Sequence, residues 1–71
     1  MDREELEQLG DQLRSVGHKR RELAERVFQE VEEGDTSSSK QLYEELSETS
    51  NKAIEIITRQ KEMFDEEVQR L

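Results

Sequence analysis

Glu32-Glu33-Gly34-Asp35-Thr36-Ser37-Ser38-Ser39 is the stretch on which the fold turns. A helix that arrives at Gly34 can end there in left-handed backbone without a Cβ penalty. The Asp, Thr and Ser residues that follow are the types that make turns and cap the next helix. This stretch divides the 71 residues into halves of nearly equal length, and both halves carry apolar residues at helical spacing. Two matched amphipathic helices around a short connection predict an all-α, antiparallel, coiled-coil-like hairpin forming a single domain over residues 1–71.

Working back from the turn, the apolar positions of the first half are Leu6, Leu9, Leu13, Val16, Leu23, Val27 and Val31. Their steps of three and four mark a heptad seam, with Arg20 standing where the next apolar residue is due. Asp2 with Glu5 reads as a capping box, so helix 1 is expected over about residues 3–33. Working forward, Ser38 with Gln41 offers a second capping box. The expected connection is therefore 34–37, with helix 2 over about 38–70. Its expected seam is Leu42, Leu46, Ser50, Ala53, Ile57, Gln60, Phe64, Val68 and Leu71. In that register Val31 faces Leu42, Val27 faces Leu46, Val16 faces Ile57 and Leu9 faces Phe64. Leu23 then meets Ser50, and long Arg20 meets small Ala53.

Two features lie outside this seam. Gly10, Gly17 and Ala24 recur every seven residues along helix 1. They read either as a track that admits another helix closely or as weak points, where a kink at Gly17 gives three helices in place of two. Phe28, Tyr43, Ile54, Ile56 and Met63 are the large apolar residues left over, with Ile56 and Met63 seven apart on helix 2. A two-helix hairpin cannot cover a second face. These five residues are therefore the expected contacts to a second copy, completing a four-helix bundle, or to a helix of another protein.

Composition sets the class of function. Hydrophobic residues make up 30% of the chain and charged residues 42%, so the small core must come from arrangement. The absence of cysteine excludes disulfides and thiol chemistry, and the absence of proline permits long helices. No apolar run approaches a membrane span and no signal peptide is legible, so a cytoplasmic protein without membrane contact is expected. A formal net charge of −8 argues against general affinity for nucleic acid. The basic stretch His18-Lys19-Arg20-Arg21 points in all directions around a helix, and Glu22 and Glu25 offer it ordinary i,i+4 pairs with Arg26 and Arg21. His18 with Glu22 supplies two metal ligands, too few for a site. There is no phosphate-binding glycine loop and no nucleophile–base grouping, so no catalytic residue, cofactor, metal or small-molecule substrate is expected.

Leu9-Gly10-Asp11-Gln12-Leu13, the break at Gly34, and Tyr43 followed by Ala53-Ile54-Glu55-Ile56-Ile57 resemble the layout of small acidic co-chaperones of type III secretion needle subunits. The resemblance lies in layout, not in a specific motif. It implies a hairpin suited to covering an apolar helix of another protein. The function expected is protein–protein interaction, as a small adaptor, co-chaperone or regulatory subunit. On this reading Ile56→Asp disrupts association. The alternative is an acidic inhibitor or nucleic-acid mimic that docks a basic groove through Glu44, Glu45 and Glu48 near the hairpin tip.

Overall fold

The computed structural model describes all residues, Met1–Leu71. It is an antiparallel pair of helices, α1 (Arg3–Glu33) and α2 (Thr36–Arg70), packed against each other as a rod of 54 × 18 × 13 Å. α1 begins at Asp2, whose side chain accepts from the Glu5 backbone N–H at 3.0 Å. The reciprocal half of a capping box is replaced, because the Glu5 carboxylate crosses to Arg59 on α2 at 2.9 Å. α1 runs through Gly10 and Gly17 as one helix, so the three-helix alternative does not arise.

The reversal is tighter than the serine run suggests. Gly34 adopts φ 76°, its N–H donates to Val31 O, and the Asp35 N–H donates to Glu30 O. This double bond pattern closes the orphan carbonyls of α1 as a Schellman motif. Asp35 then returns at once to negative φ (−82°) and caps α2, its carboxylate accepting from the Ser38 N–H at 3.0 Å. The expected cap at Ser38 is thereby displaced by three residues. Asp caps as well as Ser, and nothing in Thr36–Ser39 resists helix once a cap precedes it. The connection shrinks from the expected 34–37 to Gly34 and Asp35.

That change moves the register by about one helical turn and rotates α2. Positions equidistant from the Gly34–Asp35 junction now lie at the same height, so Leu23 sits opposite Leu46 and Val27 opposite Leu42. The observed α2 seam is Leu42, Leu46, Thr49, Ala53, Ile56, Gln60 and Met63, all buried or half-buried. It keeps Leu42, Leu46, Ala53 and Gln60 of the expected seam but exchanges its other flank. Val31 of α1 and Ile57, Phe64, Val68 and Leu71 of α2, expected inside, are exposed, and Ile56 and Met63, expected outside, line the core. Met63 is only 5% exposed.

The middle of the seam is polar. Arg20 reaches Ser50, its Nε donating to Oγ at 3.0 Å, so the expected pairings of Leu23 with Ser50 and of Arg20 with Ala53 give way to one cross-helix hydrogen bond. Buried Thr49 satisfies its hydroxyl on the Glu45 carbonyl at 2.8 Å. Leu23, Leu42 and Met63 are the only buried apolar residues, which leaves the isolated hairpin a thin core.

Three stability measurements follow. Gly34→Ala forces a Cβ into left-handed backbone and is expected to cost roughly 1–2 kcal/mol by urea unfolding. Met63→Ala is expected to cost about 2 kcal/mol, whereas Val68→Ala should stay within about 0.5 kcal/mol. The reverse order would restore the expected seam. Asp35 has its pKa lowered, chiefly by the backbone N–H of Ser38. A depressed carboxylate stabilises the fold above its unfolded pKa, and that contribution is lost as pH falls through the folded value. Acidification through the aspartate range should therefore lower the melting temperature. Asp35→Asn, which retains the cap without the charge, should remove that part of the pH dependence.

Candidate partner-binding face

The exposed apolar residues gather on one broad side of the rod. At the tip, Val31 of α1 and Tyr43 of α2 line one depression with Val27, Ser39 and Lys40. In a paired heptad coil a step of seven keeps a residue on the same side. From Val31 that step leads to Ala24, Gly17 and Gly10 along α1. From Tyr43 it leads to Ser50, Ile57, Phe64 and Leu71 along α2. Ile54 and Val68 stand just outside the α2 row, and Phe28 stands just outside the α1 track beside Ala24. The α1 side of the groove is low at Gly10, Gly17 and Ala24 and is crossed by Arg20 on its way to Ser50, while the α2 side projects large aliphatic and aromatic groups at Ile57 and Phe64.

The opposite broad side is polar. Glu5 pairs with Arg59 there, Gln12, Ser15, Lys52 and Glu55 border a depression that Val16 and Ile56 also line, and Arg26 and Glu30 share an open depression with Gln41, Glu45 and Glu48. The hairpin therefore has two chemically different faces.

Of the five residues expected on the partner surface, Phe28, Tyr43 and Ile54 are exposed at about 60% each. Ile56 and Met63 are not on that face, since both belong to the seam between α1 and α2. A charge at position 56 would open the hairpin itself, which makes Ile56→Asp a test of folding instead of association. Sequence reading passed over Ile57, Phe64 and Val68 as surface residues. The signal was present: Ile54, Ile57, Lys61, Phe64, Val68 and Leu71 follow an unbroken alternation of three and four. Lys61 interrupts the row chemically, but its ammonium is drawn to Asp65 at 2.8 Å.

The glycines carry a second signal. A Cβ built at Gly10 or Gly17 meets nothing within 4 Å. Neither helix of the hairpin needs these residues to be small, yet each costs helix stability of about 1 kcal/mol relative to alanine.

Every displaced pKa has a surface cause. The backbone N–H of Ser38 lowers Asp35, the hydrogen bond to Glu5 raises Arg59, the hydrogen bond to Asp65 raises Lys61, and the Met1 ammonium lowers Glu67. His18 lies 3.3 Å from Glu22 on the open surface of α1, and no group of three or more His, Cys, Asp or Glu residues is placed to hold a metal ion. Glu44, Glu45 and Glu48 are all exposed near the tip. No helix is long and apolar enough to cross a membrane.

Alanine at Gly10 and at Gly17 is expected to stabilise the hairpin by about 1 kcal/mol per site in urea unfolding of the separated chain. A loss of stability at either site would mean that the glycine is already in contact within the monomer. No known family model, curated protein or solved structure matches this chain.

Proposed function

We propose that this protein is a protein–protein interaction module, a small adaptor, co-chaperone or regulatory subunit without catalytic activity. Its apolar broad face packs against further helices, either of a second copy or of another protein, and so completes a four-helix bundle. One observation carries this reading: Ile54, Ile57, Phe64 and Val68 form a heptad-spaced row outside the hairpin's own seam. Scattered surface hydrophobes need no explanation, but large apolar residues gathered on one side of a chain this charged, broken only by Lys61, support a contact site. Aliphatic anchors at that spacing suit a helix laid along the rod.

The double variant Ile57→Asp/Phe64→Asp tests the reading. Both positions are half-exposed, so the hairpin should keep its helical circular dichroism once assembled conditions are matched, while association by light scattering or partner capture is lost. Association that survives the double variant, yet falls on charge reversal of Glu44, Glu45 and Glu48 and weakens steeply with salt, would assign recognition to the acidic tip instead.

A further inference from the structure

We infer that the apolar face is occupied by a second copy of this chain, placed by a two-fold axis parallel to the long axis of the rod. α1 of each copy then lies over α2 of the other, and every neighbouring pair in the four-helix bundle runs antiparallel. The inference rests on the reading of this face as an interaction surface and adds who occupies it and in what orientation.

The first support is relief. The face is low along α1 at Gly10 and Gly17, which have open space around them, is crossed at mid-length by Arg20 reaching Ser50, and projects along α2, where Ile57 and Phe64 stand out. A two-fold interface is isologous, so a surface must complement itself. An axis along the rod lays the low track of each copy on the projecting row of the other. An axis across the rod would lay track on track and row on row.

The second support is height. An axis along the rod preserves height, and the tight Gly34–Asp35 reversal fixes which residues share it. Ile57 of one copy then arrives between Gly10 and Gly17 of the other, a knob entering a hole without a side chain. Phe28 comes level with Tyr43, both of them exposed at the tip. At the rim, Lys61 comes level with Glu7. The third support is extent: a side of 54 × 18 Å is of the size that standard interfaces bury, roughly 800 Å² per partner.

Because the chain has no cysteine, paired single-cysteine variants read the geometry directly. Phe28→Cys and Tyr43→Cys chains, mixed and oxidised, are expected to give a cross-linked dimer containing one of each. Neither variant alone should cross-link, because the axis keeps like positions on diagonal helices. Light scattering on the unmodified chain should report the dimer mass, and Gly17→Leu should shift it to monomer while helicity of the dilute chain is kept. Cross-linking of either variant with itself, or a dimer indifferent to Gly17→Leu, overturns the proposed orientation. A monomer at all concentrations overturns the second copy as occupant. In that case the dye ANS separates the two levels: binding that disappears in Ile57→Asp/Phe64→Asp leaves an interaction face awaiting a different protein, and no binding removes the interaction face as well.

Discussion

The left-handed backbone at Gly34 is the constraint from which the rest of this molecule follows. Because that residue closes α1 through Val31 and Glu30, Asp35 is free to cap α2 immediately. The chain reverses in two residues, and the reversal fixes both the height and the rotation of α2 against α1. With four connecting residues the same helices would present a different flank of α2 to the seam. The choice between Ile56 with Met63 and Ile57 with Phe64 as core is thus made at the tip, at a distance from the residues concerned.

The seam that results is modest. It holds few buried apolar residues and has a hydrogen-bonded polar centre in Arg20 and Ser50. Surface ion pairs such as Lys61–Asp65 and Arg21–Glu25 add little, since exposed pairs contribute about 0–1 kcal/mol. The cross-helix hydrogen bond acts differently. A slip of α2 by a turn would take Ser50 away from Arg20 and break that hydrogen bond. A polar pair at a seam position is a known means of fixing register, and here it reinforces what the turn imposes.

Much of this architecture was legible in the sequence and one part was not. The bounds of α1, the stop at Gly34, the antiparallel pairing and the seam of α1 from Leu6 to Val27 all follow from spacing and turn chemistry, whereas Val31, expected against Leu42, lies on the outside. The seam of α2 does not. Ile56 and Ile57 are neighbours in sequence, as are Met63 and Phe64, and periodicity gives both flanks of the helix an apolar residue at each level. Bulk favours Phe64 over Met63, so reading by hydrophobicity selects the wrong flank. Cap strength for Ser38 and Asp35 is nearly equal, so the turn length that would break the tie was itself ambiguous. The same ambiguity placed Phe28, Tyr43 and Ile54 on the outer surface while putting Ile56 and Met63 there as well. Once the flank is known, Ile54, Ile57, Phe64 and Val68 fall together on one exposed side of α2, interrupted by Lys61.

The thinness of the core described above has a consequence for the lifetime of the chain. A fold held by Leu23, Leu42 and Met63 opens often when nothing covers its second face, and an open helical chain is a substrate for proteolysis. Whatever packs on the apolar face binds the folded form alone and so draws the population toward it by mass action. Copies in excess of their binding sites would be degraded first. The steady-state amount of this protein would then follow the amount of its own assembled form, a stoichiometric control that needs no dedicated regulator.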